Sequence, residues 1–319
     1  MLLENTMIEK ILQNRTSLMR FSIIWIFINH LSFFGYLGNS TIINSFIEIG
    51  SCGVDIFMLL SSMGLYLSLQ KNYNIRYFYK KRLNRILPCF ILLYPLWVLT
   101  TKNINPYPYL KSMWFILAIL IFYLFYPFCY KKLSNYKGNR LCIPFVITIL
   151  ITLFFTLILY FKGGYYAYMY GTWMNMVQRI PIFITGTLLI IGAIFPRLIY
   201  KSHIIFLLSL CAAYVIHYNF NEIYYKHFLF VSYYFLSISI IKYLIYLFEH
   251  SKKLNEFLKF IGKYTLEIYL VHMLLMPFMK FLIPIYPNIY LILLILFLTI
   301  VIVYFTNRIL NIYYNKIKL

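Results

Sequence analysis

Residues 47–69 read IEIGSCGVDIFMLLSSMGLYLSL, and residues 70–85 read QKNYNIRYFYKKRLNR. The first stretch is 23 residues long and holds two charges, Glu48 and Asp55. About 20 apolar residues in a helix cross the hydrocarbon core of a bilayer, so this stretch reads as a membrane span. The second stretch carries Lys71, Arg76, Lys80, Lys81, Arg82 and Arg85. Such a run stays out of the lipid and marks the cytoplasmic flank of a spanning helix. One apolar run meeting one basic run therefore gives both a fold class and an orientation.

The rest of the chain repeats the pattern. Of 319 residues, 62% are hydrophobic and 12% charged, against about 45–50% and 25% in soluble domains. This excludes a disordered chain, a secreted disulfide scaffold and an ordinary cytosolic enzyme. Ten apolar runs are found, at about 17–36, 47–69, 86–101, 112–130, 141–161, 175–195, 204–220, 227–247, 264–283 and 289–309. They are too long and too little alternating for barrel strands. The expected fold is all-α, a polytopic membrane bundle of about ten transmembrane helices. It fills the chain as one integral-membrane domain, 1–319. The polar start, Met1 to Thr16, is not followed by a small-residue cleavage site, so no cleaved leader is expected.

A net charge of +21 would suggest nucleic acid in a soluble protein. Here its distribution decides otherwise. Between these runs, 22 of the 29 Lys and Arg fall on one side and four on the other, with Arg179, Lys242 and Lys280 inside spans. The bias puts both termini in the cytoplasm and requires an even number of spans. No nucleic-acid partner is expected. Tyrosines near run ends, such as Tyr107, Tyr109, Tyr165, Tyr166 and Tyr168, read as an interfacial belt. The five cysteines form no CxxC pair, so they read as packing residues, without metal site or disulfide.

Ionisable groups inside spans are functional candidates by default: His30, Asp55, Arg179, Lys242, Glu267 and His272. Arg20 sits near the cytoplasmic end of the first span. His30 follows ten residues later, about 15 Å deeper, near mid-bilayer. A neutral imidazole tolerates an apolar bundle and suits general-base work near neutral pH. The basic run at 71–85 reads in two ways. It is a topology anchor touching anionic lipid, or a clamp for a polyphosphorylated ligand such as a nucleotide-bearing thioester. Arg82 and Arg85, three apart, share a helix face and suit phosphate oxygens. Asp55 is expected to pair with a cation or a histidine.

GVDIFMLLSS, GLYLS and FYKKRLNRILP, within residues 53–88, resemble acyltransferase family 3, the integral-membrane acyltransferases that modify surface polysaccharides. Met113-Trp114-Phe115-Ile116 with Tyr123 and Pro127 resembles its WF…Y..P span. Arg179-Ile180-Pro181-Ile182-Phe183 with Gly186 resembles its R.P.F..G span. Residues 261–272, IGKYTLEIYLVH, resemble its G..S..IYL.H span. The order is kept from Arg20 to about residue 280. Two departures stand out. The family places ten residues between a basic residue and the first-span histidine, whereas nine separate Arg20 from His30, a rotation of about 100° on a helix. Ser61-Ser62 also stands where Ser-Gly is common.

The resemblance implies ten spans, acyl-CoA as cytoplasmic donor substrate, acetyl-CoA foremost, no permanently bound cofactor, and a carbohydrate or lipid-linked glycan hydroxyl as acceptor. It points to a multi-pass protein of the cell membrane, in bacteria the plasma membrane, in contact with membrane lipids. Acyl transfer needs a base, an oxyanion stabiliser and a grip on the CoA phosphates. His30 is the expected base, or else a covalent acyl carrier. Asp55 or Glu267 would orient a histidine, and His272 lies at a depth similar to His30. Arg20, Lys80, Lys81, Arg82 and Arg85 would hold the donor. The rival readings are a lipid-linked sugar transporter or flippase, for which intramembrane charges would form a path, and a glycan polymerase.

Overall fold

A computed structural model describes residues 2–37, 41–135, 142–162, 173–219, 229–283 and 288–317, and every regular element among them is helical. In chain order these are α1 (Leu2–Gln13), α2 (Arg15–Phe33), α3 (Thr41–Glu48), α4 (Cys52–Lys71), α5 (Ile75–Thr101), α6 (Pro106–Ser112), α7 (Trp114–Leu133) and α8 (Cys142–Lys162). There follow α9 (Ile180–Ile191), α10 (Ile194–Lys201), α11 (His203–Asn219), α12 (Leu229–His250), α13 (Lys252–Ile261), α14 (Thr265–Met279) and α15 (Asn288–Ile317).

A helix lies at each of the ten apolar runs, but among the described residues six stretches are long and apolar enough to cross a membrane by themselves. These are Phe46–Lys71, Ile75–Thr101, Trp114–Leu133, Trp173–Ile191, Leu229–His250 and Asn288–Asn315. Two of the others fall short for visible reasons. α14 has 15 residues and rises about 22 Å, less than the roughly 30 Å hydrocarbon core. α2 is broken in its apolar character by Arg15, Arg20, Asn29 and His30.

The basic run is not a loop. Asn74 caps α5 by accepting from the Tyr77 N–H at 2.9 Å, and the helix then runs unbroken through the basic residues and the apolar span. Only residues 72–74 connect it to α4. All of Arg76 to Arg85 is thereby held on one rigid element.

α4 is the central helix and packs against α2, α7, α9 and α12. Its crossing with α9 is tight because of Gly186: a Cβ there would overlap the Leu59 carbonyl and Ser62 Oγ. Small residues let helix backbones approach where lipid supplies no hydrophobic drive. Hydroxyls tie the same region together. Tyr126 shares a hydrogen bond with Thr187 at 2.7 Å, and Thr185 shares one with Tyr234 at 2.9 Å. On the periphery, Ile147, Leu150 and Phe154 of α8 and Ile289, Leu293 and Phe297 of α15 stand exposed, an apolar surface that suits lipid rather than water.

Of the tyrosines read as an interfacial belt, Tyr107 is exposed and Tyr109 is not. Tyr109 is buried among Phe90, Tyr94 and Trp97 and donates to the Phe90 carbonyl at 2.8 Å. Tyr165, Tyr166 and Tyr168 lie outside the described residues. Cys52 and Cys89 are buried, Cys129 is half-buried and Cys211 is exposed; all four are free thiols.

Candidate active site

Where α2, α4, α5, α7 and α14 converge, they enclose a cavity of about 950 Å³. Its wall includes Arg15 and Arg20 from α2, Lys71 from α4, and Lys81, Arg82 and Arg85 from α5. Among the described residues no Asp or Glu lines it. Arg15 stands within electrostatic reach of Arg82 and Arg85. Like charges gathered in one wall repel, and an anionic guest lowers that energy. Planar guanidinium groups favour phosphate oxygens in particular.

The arginines are seated rather than loose. Arg15 donates from Nε to the Leu60 carbonyl at 2.8 Å. Its guanidinium occupies the space a Cβ on Gly64 would take. Arg20 lies in the same way over Gly262, where a Cβ would overlap its Nε. Arg82 packs over the Phe78 ring at 4.9 Å. Lys80, on the other face of α5, is exposed and away from the wall. Arg20, Lys81, Arg82 and Arg85 therefore come together as the sequence suggested, and Lys80 does not join them. The one-residue shortening before His30 leaves Arg20 in the cavity wall, resting on Gly262.

Lys71 joins the wall as part of the basic run, whereas Arg15 was not among the residues expected to hold the donor. The available signal was the helical stripe: Thr16, Met19 and Ile23 all line the cavity, and a residue just before that stripe shares its face.

The two histidines meet. His30 Nδ1 is 2.9 Å from His272 Nε2, and His272 Nδ1 is 2.7 Å from the Ile268 carbonyl. His272 is fully buried and its ring is held edge-on by Phe27 at 5.3 Å and Tyr269 at 5.4 Å. His30 is half-buried and sits in the last turn of α2, not midway along it. Tyr269 links pair and cavity: it lines the cavity floor with Phe57 and Phe115 and touches His272.

The carboxylates lie elsewhere. Asp55 Oδ1 is 3.2 Å from Arg179 Nε, with both side chains buried. Arg179 also lies 5.9 Å from the Trp114 ring centre. Glu267 faces the α5 and α15 side, within electrostatic reach of Arg85, Cys89 and Tyr314. What holds the His272 ring is a backbone carbonyl, not Asp55 or Glu267. Lys242, read as a charge inside a span, reaches the Lys201 carbonyl at the end of α10 at 3.0 Å. Among the described residues no three His, Cys, Asp or Glu side chains gather as a metal site.

A basic cavity thus lies beside a paired His30 and His272 in an apolar helical bundle. The family model described as an acyltransferase domain, that of acyltransferase family 3, matches residues 20–308. The chain belongs to that family and is a multi-pass membrane acyltransferase. No curated protein and no solved structure matches it.

Proposed function

We propose that the whole chain, 1–319, works as one membrane-bound O-acyltransferase. It moves a short acyl group, acetyl foremost, from acyl-CoA to a hydroxyl of a carbohydrate or lipid-linked glycan. The bundle has ten spans in a bacterial plasma membrane, both termini are cytoplasmic, and the basic cavity opens to the cytoplasm. The observation that carries this reading is the cavity wall, to which the described residues bring six cations and no carboxylate, and whose residue Tyr269 touches His272.

CoA phosphates lie against Arg15, Arg20, Lys81, Arg82 and Arg85. The acyl thioester extends toward Tyr269. His30 takes the acceptor hydroxyl proton as the oxygen attacks the thioester carbonyl. The carbon–sulfur bond breaks, and the CoA thiolate recovers that proton. The family match supports acyl transfer over a transporter or a polymerase.

The test is transfer of labelled acetyl from acetyl-CoA to surface glycan in membranes, with chemical analysis of glycan O-acyl groups. His30→Ala should reduce it by about 10²–10⁴-fold, the range of general-base catalysis, while the protein remains in the membrane. Full activity in that variant would remove His30 as the base.

A further inference from the structure

The two distances at the histidine pair carry a directional argument. A backbone carbonyl accepts and never donates. The Ile268 carbonyl, 2.7 Å from His272 Nδ1, therefore fixes the proton of neutral His272 on Nδ1. His272 Nε2 is left as an acceptor. His30 Nδ1, 2.9 Å away, must then carry its own proton to complete the hydrogen bond. In neutral His30 that leaves Nε2 with a free lone pair, and no described residue hydrogen-bonds to it. Each ring's second nitrogen is set by what the first one meets. Both rings are neutral in this state: His272 is fully buried, no described carboxylate contacts either ring, and a buried unpaired imidazolium would be costly.

We propose that His272 is a positioning residue that, through the Ile268 carbonyl, locks His30 in the tautomer whose Nε2 can accept a proton. Without His272 the His30 ring is free to turn or to carry its proton on Nε2, and then it cannot act as a base there. His272 itself touches neither donor nor acceptor. When His30 Nε2 takes the hydroxyl proton, the imidazolium keeps its Nδ1–H bond to His272. That bond to a neutral acceptor stabilises the new charge. The proton leaves from Nε2 to the thiolate, so the pair returns to its starting state. The helical frame supports the geometry. Ile268 and His272 are one turn apart on α14, and Tyr36 donates to the Met276 carbonyl of the same helix at 2.7 Å. That last bond ties the chain just after α2 to α14.

This inference rests on His30 as the base, and two readouts separate the failures. The first is ¹⁵N NMR of histidine-labelled full-length protein in lipid nanodiscs. Both His30 and His272 should be protonated on Nδ1 and bare on Nε2. His272→Leu should move the His30 proton to Nε2, and His272→Gln, whose side-chain oxygen can accept from His30 Nδ1–H, should keep it on Nδ1. A His30 proton on Nε2 in the unaltered protein, or no change in His272→Leu, overturns the proposal whatever the activity. The second is acetyl transfer from acetyl-CoA to native glycan in membranes. His272→Leu should lower the maximal rate by about 10²–10⁴-fold with KM for acetyl-CoA unchanged, and His272→Gln should recover most of it. Equal losses in the two variants would point to a packing role alone. Retained activity in His30→Ala would instead overturn the base assignment.

Discussion

Asp55 Oδ1 lies 3.2 Å from Arg179 Nε across the junction of α4 and α9. Both groups are buried, so the carboxylate neutralises the one cation that the family motif puts at the head of α9, and it orients neither histidine. Removing one partner of a buried pair leaves the other charge without compensation and costs about 3–5 kcal/mol. Asp55→Asn and Arg179→Gln should each lower thermal stability in detergent strongly. The double variant Asp55→Asn with Arg179→Gln should be more stable than either alone. A double variant as unstable as the sum of the two would show that each residue is held by other contacts.

The cavity cations should act on donor affinity and not on turnover. Arg15→Gln, Arg82→Gln and Arg85→Gln should each raise KM for acetyl-CoA by about tenfold or more, since a hydrogen bond to a charged group contributes roughly 1.5–3 kcal/mol. Lys80→Gln, which lies off the wall, should leave KM unchanged. Added salt should weaken donor binding in the unaltered protein. Equal effects at Lys80 and Arg82 would mean that the run senses only the anionic membrane surface.

Gly262 carries a sharper test of Arg20. A side chain at 262 and the Arg20 guanidinium cannot share the same space. Gly262→Ala should therefore reproduce the donor-affinity loss of Arg20→Ala, and combining the two should add little. Additive losses in a competition assay with CoA would separate Gly262 from Arg20 and end the seat argument.

The helices were legible because a bilayer demands long apolar runs, and the basic run because charge cannot hide in lipid. The partner choices were not. His30 and His272 are 242 positions apart, and nothing in either span names the other. For Asp55 the sequence left a cation or a histidine open, and the close α4–α9 crossing at Gly186 brings Arg179 to it. Glu267 and His272 share a helix but are five residues apart, which turns them to different sides, one toward Arg85 and one toward His30. The three-residue connection at 72–74 hid the fact that the basic run is helix. Its capping residue, Asn74, was the available sign.

Tyr269 should set the size of the acyl group. Its ring forms part of the cavity floor, is 2% exposed, and stands between Phe115 at 4.9 Å and His272 at 5.4 Å. On the proposed donor path from the basic wall to the histidine pair, Tyr269 is a residue that touches both. Tyr269→Ala removes the ring and leaves room beside Phe57 and Phe115. The change should cost about 3–5 kcal/mol of stability, as aromatic deletions from a core do. It should also raise the rate with butyryl-CoA relative to acetyl-CoA by about tenfold, the effect of one or two methylenes finding space. Tyr269→Phe keeps the ring and should keep the acetyl preference. Competition between the two labelled thioesters, read as the ratio of acyl groups on the glycan, measures this directly. An unchanged ratio in Tyr269→Ala would place the acyl path on another side of the cavity.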